Sequence, residues 1–418
     1  MFLESGNTRE CSGCYACYSI CRHKAIVMKT DENGFIIPVK IKEKCVDCGL
    51  CEKVCSVAHP VYSNNAQPSV FAAYDPKERT KSSSGGVFYT IASHVINNHG
   101  VVFGAAFDQK MHLRHIGVET LDGLEPLRGS KYVQSHVEEA FREVQRFLKE
   151  KRFVYFVGTP CQVAGLKAFL MRDYDNLLTS DLVCHGVPSQ KLFEKHLDSL
   201  AKLENSEVNG YSFRDTKNWF ICEKVSFKDG HAVVKYDGNM SPYLYAFGKG
   251  YSYRDCCFNC KFAHIPRQGD ITLADYWGIG RYHPEVDHRG GVSMVLVNSR
   301  NGENIWKEIS GRLKYRESDV ESCKHYNPNL VRPTAEPAER RRFLELLKCQ
   351  PYDEVVEKML LCPPEMRNKS IERTMKLRRL GLVQPFEALK VLVKKIVVAL
   401  NLTKAAYELY GKLKKNGK

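Results

Sequence analysis

The sequence predicts an α+β protein: a small cysteine-rich module at the N-terminus, a larger α/β body with a mixed sheet, and a basic C-terminal helix. Three observations predict it. Two cysteine runs of identical spacing stand near the start, strand–turn–helix units recur in the middle, and most of the net positive charge falls in residues 366–418.

The first cysteine run is Cys11, Cys14, Cys17, Cys21 and the second is Cys45, Cys48, Cys51, Cys55, each spaced C-x2-C-x2-C-x3-C. Bacterial two-cluster ferredoxins hold cubane iron–sulfur clusters with this spacing. Three thiolates two residues apart wrap one face of a cubane through a tight loop. The fourth is expected to open a short helix pointing away, and so to bind the other cluster. Cys11, Cys14, Cys17 and Cys55 are therefore assigned to one 4Fe-4S cluster, and Cys45, Cys48, Cys51 and Cys21 to the second. The alternatives are zinc sites, which favour ligands in two pairs, or disulfides, which do not explain a duplicated spacing. The proline that usually follows the fourth cysteine is replaced by Arg22 and Ser56, which removes no ligand. Between the runs, two apolar segments flank Asp31-Glu32-Asn33-Gly34 and read as a hairpin. The bacterial-type ferredoxin module is placed at residues 1–62, and the polar segment 60–70 reads as a linker.

A chain of 418 residues, 43% hydrophobic and 11% aromatic, has room for two or three folded domains. The start, MFLESGNTREC, has an acidic residue and no apolar segment of signal-peptide type, and no stretch reaches the length of a membrane span. A reducing cytoplasm is the expected location. Of the net charge of +14, residues 366–418 contribute eleven, from fourteen Lys/Arg and three Glu. The basicity thus belongs to the tail, and nucleic acid is not expected as a partner.

The body is placed at residues 71–365. Lys81-Ser82-Ser83-Ser84-Gly85-Gly86 precedes a helical pattern in which Phe88, Ile91, Val95 and Ile96 share a face. A Ser/Gly turn feeding a helix N-terminus leaves backbone N–H groups for a phosphate, although an ordinary Ser cap explains it as well. VVFGAAF and Leu113 to Glu119 read as strands, and a helix is expected over Glu138 to Lys149. Phe153 to Val157 is a buried strand that turns through Gly158-Thr159-Pro160-Cys161-Gln162 into a helix, with proline where helices start. Leu177 to Val183 repeats the pattern and ends in Cys184-His185-Gly186-Val187-Pro188-Ser189 before a helix through Lys191 to Leu200. Two such units predict parallel strands with both turns at one carboxyl edge, where open α/β sheets bind ligands. Cys161 and Cys184 are thereby expected to lie close in space. Residues 205–255 alternate as strands, and a helical stretch is expected from about Ala338 to Leu360. Cys257 and Cys260 add a C-x2-C; spacing alone leaves buried thiols, zinc or a third cluster open.

The motifs SSGGVF (83–88), GSKYVQS (129–135), GTPCQVAGLK (158–167), DLVCHGVPS (181–189), CFNCKF (257–262) and GDITLADYWGIG (269–280) together resemble the coenzyme F-420 hydrogenase/dehydrogenase β-subunit family. The resemblance implies a flavin-binding α/β domain with FAD, an additional 4Fe-4S cluster and, in methanogen members, a deazaflavin as hydride partner. It implies Cys161, Cys184, Cys257 and Cys260 as ligands of that cluster, with Cys256 left without a role. Ser84, Gly85, Gly86, Lys131, Tyr132, Thr159, Gln162 and His185 are the residues expected around the flavin. The implied protein is an iron–sulfur flavoprotein oxidoreductase passing electrons between a ferredoxin-like or other redox protein and a hydride-carrying small molecule such as F-420, or a reducible substrate. A non-catalytic electron-relay subunit of a larger redox complex, holding clusters alone, is the alternative. Cys222, Cys323, Cys349 and Cys362 share no spacing and are expected to be buried and structural. In the tail, Phe386, Leu389, Val393, Ile396 and Leu400 share a helical face, predicting a helix that lies at the inner face of an acidic membrane or packs on the body.

Overall fold

The computed structural model describes residues 1–216, 219–235 and 237–363; the expected tail helix lies outside them. In the N-terminal module, strands β1 (Ile26–Thr30) and β2 (Ile36–Lys40) pair antiparallel with Ile26 opposite Lys40. The turn between them closes where Gly34 N–H donates to Asp31 O at 3.0 Å and the Asp31 carboxylate accepts Phe35 N–H at 2.8 Å. Gly34 has φ +87°, and a Cβ there would come within 2.6 Å of Lys191, so the hairpin tip lies directly on the body. Short helices Ala16–Ile20 and Leu50–Lys53 flank the hairpin. Cys21 follows the first of these helices instead of opening one, against expectation. The third cysteine of each run sits inside the helix, so the fourth emerges about one turn later, past its end.

The body is built on β3 (Ser69–Tyr74), β4 (Val101–Phe107), β5 (Leu113–Val118), β6 (Val154–Val157) and β7 (Leu177–Leu182), with further strands from its second half. A separate antiparallel meander follows: β8 (Val208–Asp215), β9 (Phe220–Phe227) and β10 (Ala232–Lys235). The last strands are β11 (Ile271–Asp275), β12 (Ser293–Val297) and β13 (Lys314–Ser318). The main sheet has eight strands in the order β13-β3-β12-β11-β7-β6-β4-β5. Its centre, β11-β7-β6-β4, is parallel, and antiparallel strands close both edges. The expected mixed sheet is present.

The sheet is apolar on both faces because helices cover both. Val102, Tyr155, Leu178 and Ile271 point to one side, against helices Val87–Asn97 and Arg300–Ile309. Val101, Phe103, Val154 and Phe156 point to the other, against helices Ala140–Lys149 and Pro160–Leu170. The alternation along each strand follows from the period of two. The meander is fastened by the buried Glu223, which accepts from Tyr211 Oη at 2.6 Å, meets His196 Nε2 at 2.6 Å and pairs with Lys235 at 2.9 Å. The stretch expected to be one helix near 338–360 is Arg340–Cys349 followed, after Pro351, by Tyr352–Val355 and a π turn. The segment read as a linker is bound to the body. Asn64 Nδ2 donates to Arg267 O and Gly269 O, both at 2.9 Å, and Tyr62 Oη donates to Lys261 O at 2.8 Å.

Candidate redox site

Three recesses in the described residues are each lined by cysteines. Cys11, Cys14, Cys17 and Cys55 line one; Cys21, Cys45, Cys48 and Cys51 line a second. The fourth cysteine of each run therefore faces the recess of the other run, the crossed arrangement expected from the spacing. Cys161, Cys184, Cys257 and Cys260 line the third, with Cys256. In every case the thiols ring a void. Among the described residues no three or more His, Cys, Asp or Glu stand close enough to share a single metal ion.

The third recess is made by topology. Cys161 follows β6 and Cys184 follows β7, which are parallel neighbours, so both emerge at the carboxyl edge of the sheet. Cys257 and Cys260 are brought over this edge by the loop that leads into β11. Arg267, 1% exposed, holds that loop: it donates to Phe262 O at 3.1 Å and Leu182 O at 2.8 Å and pairs with Asp181 at 3.3 Å. Helix Pro160–Leu170 begins with proline and a capping box between Thr159 and Gln162. Cys161 stands in its first turn, and one turn later Gly165 faces Cys14, where a Cβ would lie 2.9 Å from the sulfur. One rigid helix thus touches two recesses.

Burial raises the thiol pKa values. Cys14 is pushed up to about 11 and Cys184 to about 12, with the neighbouring Cys260 adding to the latter. Cys17 and Cys161 move in the same direction, for the same first cause. Four thiolates cannot share such a void without a cation among them, and metal binding there would release their protons. The donor set, soft sulfur alone, suits iron–sulfur clusters. Ser56 Oγ, buried beside Cys55, has no hydrogen-bond partner.

The residues expected around a flavin fall into two groups. Tyr132 and His185 gather at the sheet edge around Phe247, whose ring lies 4.5 Å from Tyr132 and 6.4 Å from His185, and Lys131 precedes Tyr132 in the same loop. Lys131 Nζ donates to Arg128 O at 2.8 Å, and burial lowers its pKa to about 7. The SSGG and GSKY loops are joined, Ser130 N–H donating to Ser83 Oγ at 2.8 Å. Helix Val87–Asn97 begins at Gly86 (φ +86°) with no side chain capping its first N–H groups, so the ordinary Ser cap is absent.

The second group is committed to the fold. Gln162 donates to Ser135 Oγ at 2.9 Å and accepts from Thr159 N–H at 3.0 Å. Gly85 donates to Ser293 Oγ at 3.0 Å, and a Cβ there would stand 2.2 Å from Ala73 O. Ser84 Oγ donates to Val292 O at 3.1 Å. Thr159 Oγ1 lies 3.2 Å from Cys161 Sγ and belongs to the third recess.

Sequence reasoning missed Arg214. Its guanidinium, almost fully buried, donates to Asp275 at 2.6 Å, Ser83 O at 2.9 Å and Tyr132 Oη at 3.2 Å. It thereby ties the SSGG, GSKY and ADYWG loops together, and no local pattern marks it. Cys222 and Cys323 are buried as expected, but Cys349 is exposed: it ends helix Arg340–Cys349 on the solvent side.

Residues 10–58 match the family described as 4Fe-4S dicluster domain. Residues 151–322 match the family described as the C terminus of the coenzyme F420 hydrogenase/dehydrogenase beta subunit. These two matches define the class that the chain resembles: an iron–sulfur dicluster module followed by a region similar to the C terminus of the F-420 hydrogenase/dehydrogenase β subunit. A curated relative, the coenzyme F420-dependent sulfite reductase of Methanocaldococcus jannaschii, is 23% identical over 340 residues, covering 79% of this chain and 50% of its own. The chain spans about half the length of that relative. A solved structure, the F420-reducing [NiFe] hydrogenase complex of Methanosarcina barkeri, matches at TM-score 0.43 and 18% identity over 72% of this chain and 96% of the other.

Proposed function

We propose that this chain is an FAD-dependent iron–sulfur oxidoreductase that moves electrons between a one-electron redox protein and a hydride carrier of the coenzyme F-420 type, or a reducible substrate. One observation carries the reading: three cysteine-lined recesses follow one another through shared lining residues, and the last is lined by His185, which reaches Tyr132 of the GSKY loop through the ring of Phe247. The outer recess, with Cys48 exposed, shares Met1 and Leu3 with the middle one. The middle recess shares Ser12 and Val57 with the third. Cys21, Cys45, Cys48 and Cys51 would hold the outer cluster, Cys11, Cys14, Cys17 and Cys55 the middle one, and Cys161, Cys184, Cys257 and Cys260 the third.

A bound flavin exchanges electrons in pairs with a hydride carrier and singly with a cluster. The chain's own part is placement. Helix Pro160–Leu170 sets the middle and third recesses about one turn apart. The uncapped start of helix Val87–Asn97 offers N–H groups to a phosphate. Lys131, its pKa lowered by burial to about 7, would hold a proton or a positive charge beside a flavin bound at this loop. Lys131→Ala should then lower the flavin potential, and an unchanged potential would remove that role. F-420 as the carrier is supported by the relatives' names. The electron-relay reading is favoured only by the commitment of Gln162 and Gly85 to the fold; it predicts clusters without flavin.

Anaerobic purification with iron, sulfide and flavin quantitation tests the proposal. About twelve irons and one FAD per chain are expected from three cubanes and one flavin. Reduction assays with F-420, NAD(P)H and ferredoxin then identify the carrier. A colourless protein with zinc in place of iron would end the reading.

A further inference from the structure

Four arginines are buried in the described structure: Arg214, Arg254, Arg267 and Arg340. Three of them face a carboxylate: Arg214 meets Asp275 at 2.6 Å, Arg267 meets Asp181 at 3.3 Å and Arg340 meets Asp255 at 2.5 Å. Arg254, 2% exposed, has neutral acceptors. Its Nε donates to Cys11 O at 2.7 Å, and its Nη1 to Ile36 O at 2.9 Å and Gln134 Oε1 at 3.3 Å. Carbonyl oxygens accept from Nε and Nη1 but supply no countercharge, and burying a guanidinium without one is costly.

The surroundings supply a different kind of anion. Arg254 stands two residues before Cys256 and three before Cys257, in the loop of the third recess, while its Nε lies against the backbone of Cys11 in the middle recess. Its backbone carbonyl also accepts from Cys257 N–H at 3.0 Å, so the residue is tied to a ligand candidate of each recess. Room for it is kept by Gly13 (φ +66°), where a Cβ would come within 3.0 Å of its Nη1 and 2.8 Å of Gln134 Nε2.

Resting on the cluster reading above, we propose that Arg254 is the shared counter-ion of two clusters, in the Cys11 and the Cys161 recess, and raises the reduction potential of both. Each cubane with four thiolates carries about −2 by formal count, and an added electron makes it more negative. A cation held between two such groups in a desolvated interior favours the reduced form of each. Its missing carboxylate then has an explanation, since a resident anion would cancel the effect.

The test is an anaerobic redox titration, followed by EPR, of the intact chain and three variants. Arg254→Lys keeps the charge and should stay near the parent values. Arg254→Met should shift both inner clusters to lower potential while the outer cluster, held by Cys21, Cys45, Cys48 and Cys51, does not move. Gln134→Glu places a carboxylate against the guanidinium and should reproduce the Met shift with Arg254 present; it decides the matter if Arg254→Met does not retain its clusters. Unmoved inner potentials in iron-loaded protein, or an equal shift of all three clusters, would overturn the assignment. Lack of iron in the parent chain would instead sink the cluster reading on which it stands.

Discussion

The N-terminal recesses and the third one use the same side chain and are specified in opposite ways. In the module, three of the four thiols of each recess lie within seven consecutive residues, Cys11 to Cys17 or Cys45 to Cys51. Local backbone geometry alone brings them together, and a hairpin supplies the fourth. In the body, Cys161 and Cys260 are 99 residues apart, and only the parallel pairing of β6 with β7 and the loop clamped by Arg267 make them neighbours. The first kind of site is written in spacing; the second in topology. A site of the second kind depends on the whole sheet, so distant substitutions should damage it and leave the module intact.

Removing one thiol breaks the comparison most sharply. Cys184→Ser should lose about one third of the iron, with the signals of the other two clusters retained. Cys14→Ser and Cys55→Ser, one from each run, should remove the same signal as each other; Cys21→Ser should remove a different one. Iron analysis with EPR reads both results. Two distinct signals lost by Cys14→Ser and Cys55→Ser would refute the crossed arrangement. Next in size is Arg267→Met. Breaking a fully buried pair leaves Asp181 uncompensated and should cost roughly 3–5 kcal/mol. Thermal melting should show the loss, and the third cluster should be depleted before the other two.

The degree to which the chain could be read from its sequence follows the same division. The module was legible because its motif is local and duplicated. Parallel β6 and β7, and the meeting of Cys161 with Cys184, were legible because strand–turn–helix units have few ways to fold. Helix ends were less so: Pro351 divides what apolar periodicity joined into one helix, and the linker pattern around Asn64 hid contacts made across the chain. The flavin candidates were chosen from motif positions, and a motif does not separate a residue that faces a ligand from one that holds the loop. Gln162 and Gly85 are of the holding kind. Arg214 and Arg254 escaped because a single buried cation has no spacing to reveal it.

Gly165 sharpens the comparison from the other side, since it is one of the places where the body touches the module. In Gly165→Ala the new methyl group meets Cys14 Cβ and Sγ at 2.9 Å, closer than atoms tolerate. Overpacking of this size costs about 1–3 kcal/mol. The middle cluster should be the one whose signal changes, although the substitution lies in the helix that carries Cys161. An altered third cluster with an unchanged middle one would mean that the helix itself shifts while the module follows it.

The smallest effect expected is on pH dependence, and it resides in the body alone. His115 is 7% exposed, stacks on Phe156 at 5.2 Å, and is held between Ser135 Oγ at 2.9 Å and Val157 O at 3.0 Å. Burial lowers its pKa to about 4 from an ordinary value of 6.5. Between those values the unfolded chain binds the proton and the folded one does not, so stability falls as pH drops from 6.5 toward 4. From pH 7 to pH 5 the loss should be about 2 kcal/mol, at 1.36 kcal/mol per unit of protonation free energy. His115→Gln keeps a polar side chain but cannot titrate, so its melting temperature should fall less over the same interval. Ser135 connects His115 to Gln162 and through it to Thr159, so an acid-induced disturbance should reach the third recess first. Equal pH sensitivity in parent and variant would show that the acid response belongs to other groups.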